Sequence, residues 1–246
     1  MKCRFVGRTD PGLVRSVNQD DYHLDPDGRF FIVADGMGGH AGGQEASQIA
    51  KETIQAYLKQ HWQSPVESEQ LLEQALYEAN QAIVEDQKNH PERSDMGTTV
   101  VVVMFRLQHS WFAHVGDSRL YRFRGSKLEQ ITEDHTWVAK AMKAGDINLE
   151  QARIHPWRHV LSQCLGRRDL PKVDVQQMEV QPGDRLLICT DGLTEELNDA
   201  LITSDLESSS KNEEAAVNLI EAAKEKGGRD NITVVIVEID EMSLEG

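Results

Sequence analysis

The chain has 246 residues, of which 39% are hydrophobic, and 26 basic residues against 41 acidic ones give a net charge of −15. That length supports a substantial core, as one large domain or two small ones. The acidic balance argues against a nucleic-acid backbone or an anionic membrane as the main partner. Cys3, Cys164 and Cys189 are odd in number and form no CxxC pair, which reads as reduced, mostly buried thiols in a cytosolic protein. MKCRFVGRTDPG lacks an apolar stretch long enough for a signal peptide, and the run around Val100 to Phe105 is far short of a membrane span. A soluble, cytoplasmic monomer is expected.

In chain order, strand signals fall near residues 3–8, 20–24 and 29–35. A Gly-rich segment, DGMGGHAGG, follows from Asp35 to Gly43 and opens a helix to Trp62. Its apolar positions, Ala46, Ile49, Ala50, Ile54, Tyr57 and Leu58, keep the i, i+3, i+4 spacing of a single buried stripe. A second helix, over 68–87, places Leu71, Leu72, Ala75, Leu76, Ala79 and Ile83 on one face. Strands near 97–106, 110–116 and 119–124 come next, joined by links so short that they permit only antiparallel pairing.

TTVVVVMF does not alternate apolar and polar residues, so both of its faces should be buried. An antiparallel sheet meets that demand with one face on a second sheet and the other under helices. Residues 134–172 read as charged short helices, then HPWRH and GRRD, and are taken as a surface insertion, not a domain. Strands near 173–180, 185–190 and 232–239 and a helix over 212–226, with Ala216, Leu219, Ile220 and Ala223 inward, complete an α+β chain with a sheet–sheet core and helices outside.

Three apolar runs each end in an aspartate followed by a small residue: FFIVADG with Asp35, WFAHVGDS with Asp117 and RLLICTDG with Asp191. Asp20 in GLVRSVNQD and Asp230 in GGRDNITVVIV have similarly pointed settings. A strand end lifts a carboxylate from the core on a rigid mount, and a following Gly or Ser lets the chain turn. Five converging carboxylates without a basic cluster would repel one another; Mg²⁺ or Mn²⁺ is the natural counter-charge for an all-oxygen site. Such ions would also answer locally for the field that repels a phosphorylated substrate.

Other phosphate chemistries fail on their patterns. Gly36, Gly38 and Ala41 fit a loose dinucleotide fingerprint, but Asp35 would repel a pyrophosphate, and a helix occupies the place of the required second strand. GxxxxGK[ST], C-x₅-R and DxDx[TV] are all missing from the sequence.

GLVRSVNQD, FFIVADGMGGHAGG, DMGTTVV, HVGDSRLYRF, ITEDHT, LLICTDGLTE and GGRDNITVVIV together resemble the serial motifs of type 2C (PPM) metal-dependent Ser/Thr protein phosphatases in their compact bacterial form. The matches run in order from about Gly7 to Val237. The resemblance implies a four-layer α-β-β-α sandwich, two central antiparallel sheets flanked by helices, making one catalytic domain over 1–246 with 134–172 as a flap-like insertion. It implies two tightly bound Mg²⁺ or Mn²⁺ ions and a third, weaker one, acting on phosphorylated protein substrates.

By motif, Asp35 bridges the two metals, Asp191 and Asp230 hold the first, and Asp20 with the Gly36 carbonyl holds the second. Asp117 joins Asp191 at the third. Arg15 clamps the substrate phosphate, and His40 protonates the leaving alkoxide. Some family members place the His directly after Asp-Gly, whereas here Met37-Gly38-Gly39 intervenes.

Phosphate-monoester hydrolysis needs acceleration up to the order of 10²¹-fold. A two-metal centre can supply it through an activated water, with no Ser or Cys nucleophile. Taken singly, Asp35-Gly36 and Asp191-Gly192 read as ordinary strand-ending turns, Asp20 and Asp230 as surface charges, Arg15 as a surface cation and His40 as loop filler. The series reverses that. Cys164 and Cys189 read as core fillers, and His109, His155 and His159 as structural, with His159 placed to touch substrate. A metal-binding regulatory module without turnover is the alternative, disfavoured because every charged motif position is kept. A nucleotide-binding oxidoreductase is disfavoured by the failed fingerprint.

Overall fold

A computed structural model describes residues 2–39 and 42–241. Two antiparallel sheets lie face to face. One takes β1 (Lys2–Asp10), β11 (Ile232–Glu241), β10 (Arg185–Cys189), β7 (Arg119–Arg124) and β8 (Lys127–Gln130) in that spatial order. The other runs β2 (Asp20–Leu24), β3 (Phe30–Met37), β5 (Val100–Arg106), β6 (His109–Val115) and β9 (Val175–Met178), with the two-residue β4 (Gly97–Thr98) on the end of β3. Leu107 and Gln108, both at positive φ (51° and 64°), make the two-residue turn between β5 and β6, a turn whose twist suits antiparallel neighbours.

The non-alternating strands are buried on both faces. In β5, Val101, Val103 and Phe105 point into the layer between the sheets, where Phe31, Val33, Leu186, Ile188, Val235 and Val237 meet them. Val100, Val102 and Met104 point outward under α1 (Gly42–His61) and α2 (Ser68–Asn89). All six apolar positions expected to face inward on α2 are buried, while Ile49 and Tyr57 of α1 are only partly so. On the far side, Leu187, Cys189, Val234 and Ile236 pack under α5 (Asp191–Thr194), α6 (Asp199–Ser208) and α7 (Asn212–Lys226). The architecture is the expected α+β sandwich of four layers, helix–sheet–sheet–helix. Among the described residues, no helix is long and apolar enough to cross a membrane.

Three local features differ from expectation. The single strand expected over 97–106 breaks at Thr99, because Thr98 pairs with Leu165 while the Thr99 hydroxyl turns to Ser118, 2.6 Å away. β8 has one apolar residue, Leu128, packed against the outer core, and α6 buries only Ile202 and Leu206. Neither gives a periodic signal long enough to read. The short helices expected within 134–172 are present as α3 (Trp137–Ala144) and α4 (Leu149–Ile154). The segment departs from and returns to the body at an antiparallel bridge between Thr136 and Leu161. Thr136 caps α3 through the Ala139 N–H, Gly145 ends it at φ +83°, and Asn148 and Gln151 form a capping box on α4.

Candidate metal centre and substrate cavity

Both sheets deliver carboxylates to one end of the sandwich. Asp20 opens β2 directly opposite Asp35 of β3. Asp117 sits in the turn between β6 and β7, Asp191 opens α5 after β10, and Asp230 precedes β11. Asp35, Gly36, Asp117, Asp191, Asp230 and Arg15 line one cavity of about 780 Å³. Two placements differ from the expected strand ends: β3 continues past Asp35 to Met37, and Asp191 begins a helical turn.

The carboxylates raise one another's proton affinity. Burial, then the charges of Asp20, Asp191, Asp117 and Asp230, holds the Asp35 carboxyl well above its usual range. Asp117 is pushed up to about 8 by burial, then by Asp191 and Asp134. Asp191 is pushed to about 7 by burial, then by Glu195 and Asp230. Burial also lifts Asp20 to about 7, although hydrogen bonds from Thr233 and Thr190 pull it down. Repulsion of this kind marks functional sites more often than structural ones. Asp20 Oδ2 accepts from the Thr190 and Thr233 hydroxyls (2.8 and 2.7 Å), whereas its buried Oδ1 has no hydrogen-bond partner among the described residues. An all-oxygen, strongly anionic donor set with an orphaned buried carboxylate oxygen fits a hard divalent cation.

Neighbours missed in the sequence fix these groups. The Thr99 hydroxyl lies 3.2 Å from the Asp35 N–H, and the Thr98 hydroxyl and Thr99 N–H both donate to the Asp35 carbonyl. Asn231 ties three segments: its Oδ1 accepts from the Gln19 N–H, and its Nδ2 donates to the Pro11 and Val17 carbonyls. These Thr and Asn residues lie inside the aspartate motifs, in TDG, DNIT and GTT, so their proximity in sequence was the available signal. Gly36 and Gly192 are required by close approach, since a Cβ on either would lie 1.9 or 2.0 Å from the carbonyl oxygen of Gly43 or Asn231.

Arg15, a candidate phosphate ligand, reaches the cavity with its Nη2 on Asp230 Oδ2 at 2.7 Å. His40 lies outside the described residues. His159 lines the cavity with its Nδ1 against Glu195 Oε1, and ligand atoms of His159, Asp191 and Glu195 lie within 4.8 Å of one another. Cys189 is a core filler as expected, but Cys164 is not: it is half-buried in the cavity wall, because Thr98 draws the neighbouring Leu165 onto β4.

Known proteins share this arrangement of sheets and motifs. A family model described as protein phosphatase 2C matches residues 14–226. The serine/threonine protein phosphatase PstP of Mycobacterium tuberculosis is 35% identical over 236 residues, 96% of this chain but 45% of that protein's length. The serine/threonine phosphatase stp of Listeria monocytogenes is 35% identical over 238 residues, 95% of this chain and 94% of that protein. The crystal structure of the PstP catalytic domain in complex with two manganese ions superposes with a TM-score of 0.86 at 33% identity, covering 97% of this chain and 99% of that one. A family match over most of the chain, together with a 35%-identical relative aligned nearly end to end, places this protein: it belongs to the protein phosphatase 2C family.

Proposed function

We propose that the chain is a metal-dependent phosphoprotein phosphatase that hydrolyses phosphoserine and phosphothreonine esters. The observation that carries the reading is the convergence of half-buried, mutually repelling carboxylates on one cavity with Arg15 at its edge. Asp20, Asp35, Asp191, Asp230 and the Gly36 carbonyl would hold two Mg²⁺ or Mn²⁺ ions, and Asp117 with Asp191 a third. Bound there, the ions neutralise the cluster and supply Lewis acidity and an activated water.

The remaining work falls to side chains. Arg15 offers a planar fork of donors to the phosphate once a substrate competes with Asp230 for it. His40 gives its proton to the departing serine or threonine oxygen, a poor leaving group without one. Thr190 and Thr233 hold Asp20 so that its free oxygen keeps one direction.

The same reading makes the chain a single catalytic unit, monomeric and cytoplasmic, with phosphoproteins rather than nucleic acids or membranes as partners, in keeping with its net charge of −15. Residues 134–172 act as a flap over the cavity, which their residues His159, Leu161 and Cys164 help to line. The test is phosphate release from one peptide sequence carrying phosphothreonine, phosphoserine or phosphotyrosine, with Mn²⁺ present. Turnover of the first two and not the third is expected; preference for phosphotyrosine, or no release from any of them, would refute the assignment.

A further inference from the structure

We infer that Arg168 forms a second anion subsite beside the catalytic cavity, selecting phosphoproteins that carry another negative charge next to the scissile phosphate. The inference rests on the phosphatase reading above. Nearly every arginine side chain among the described residues meets a carboxylate or a backbone carbonyl. Arg158 and Arg168 do not. Arg158 still has a nearby answering charge, because it lies within the field of Glu195. Arg168 has none of its own among the described residues: the adjacent carboxylate, Asp169, is taken by Arg167 at 3.2 Å.

The mount of Arg168 is rigid although its side chain is exposed. From α2, the 7%-exposed Asn80 accepts the Gly166 and Arg167 N–H groups on Oδ1 (2.8 and 3.0 Å) and donates to the Arg167 carbonyl at 2.9 Å. Gln87 donates to the Gly166 carbonyl at 2.9 Å. Gly166 itself turns at φ +94°, where a Cβ would lie 2.9 Å from the Met96 carbonyl oxygen. The backbone that carries Arg168 is therefore fixed before any ligand arrives, which reduces the ordering cost of binding.

Arg168 also borders two spaces at once. It lines the catalytic cavity, and it lines an adjoining hollow of about 320 Å³ together with Asn80, Gln81, Val84 and Lys88. Among the described residues no carboxylate lines that hollow, on a chain with 41 acidic residues. Lys88 adds a second cation, paired at 2.7 Å with Glu85 on the exposed side of α2. A peptide leaving the catalytic cavity across Arg168 enters a cationic, amide-rich recess. A phosphate there suits the guanidinium fork, and a glutamate carboxylate suits it nearly as well.

The experiment compares kcat/KM, with Mn²⁺, for one phosphothreonine peptide in three forms. Its flank is neutral, glutamate-bearing, or substituted with a non-hydrolysable phosphonate as a second phosphate mimic. A small aryl phosphate is measured alongside. The wild-type protein should prefer a charged flank over the neutral one by about tenfold. Arg168→Ala should bring that ratio close to one, and Arg168→Lys should keep part of it. A preference confined to the phosphonate identifies phosphate as the ligand, and equal preference identifies negative charge generally. Turnover without a flank preference in the wild type, or a preference that survives Arg168→Ala, overturns the subsite alone. Absence of all turnover, aryl phosphate included, overturns the phosphatase reading and the subsite with it.

Discussion

Raising the pH should destabilise the metal-free protein, and metal should abolish the effect. The carboxyls of Asp20, Asp35, Asp117 and Asp191 all hold protons more tightly in the folded chain than in the unfolded one. A group whose folded proton affinity exceeds its unfolded value loses stability as pH rises toward the folded value. His135, which burial lowers to about 4, acts in the opposite sense together with His23, His114 and His159, which burial also lowers: their contribution grows with pH until the unfolded imidazoles have deprotonated, around and just above 6.5. From about pH 7 the carboxylates outweigh them.

With Asp117 at about 8, the step from about pH 7 to about pH 8.5 removes on the order of 1 kcal/mol through that group. For a chain of this size the loss corresponds to a fall in Tm of about 2–4 °C. Calorimetry of EDTA-treated protein at the two pH values measures it. Repeating the scans with Mn²⁺ should flatten or invert the slope, since cation binding requires ionised ligands. A metal-free Tm that stays level or rises between those pH values would refute the electrostatic account of the site.

Thr233→Val removes one of the two hydroxyls on Asp20 Oδ2 and should cost about 1–3 kcal/mol by urea denaturation; an unchanged midpoint would remove that bond from the account. Gly36→Ala places a Cβ 1.9 Å from the Gly43 carbonyl oxygen and should destabilise by more than about 4 kcal/mol, so a soluble variant with wild-type Tm would contradict the packing described. His40→Ala should slow an alkyl phosphate by about 10²–10⁴-fold and a nitrophenyl phosphate far less; equal losses would dismiss it as the proton donor. Replacing 137–160 by a short turn across the Thr136–Leu161 bridge should change the ratio of phosphopeptide to aryl phosphate turnover, and equal losses on both would end the flap reading.

The layered fold was legible because its strands are apolar without alternation. Val100 to Phe105 demanded two buried faces, and the structure gives one to the helices and one to the second sheet. α2 and α7 were legible from spacing alone, whereas β8 and α6 were not, since each buries only one or two side chains. The five aspartates were visible as motif ends, and four of them line the cavity. Asp20 is set behind them, held by Thr190 and Thr233 across the gap between sheets. That contact joins residues about 170 and 213 positions apart, and no local pattern encodes such a distance. Arg168 was hidden for a related reason: its distinction is the lack of an answering charge among the described residues, which shows only once the surrounding side chains have been placed.

The central claim is tested most directly by p-nitrophenyl phosphate hydrolysis in excess EDTA and after adding Mn²⁺ or Mg²⁺, with Asp191→Ala measured beside the wild type. Activity that appears only with metal and is lost in the variant is the predicted result. Turnover that persists in EDTA, or folded protein that stays inactive with either metal, would contradict it.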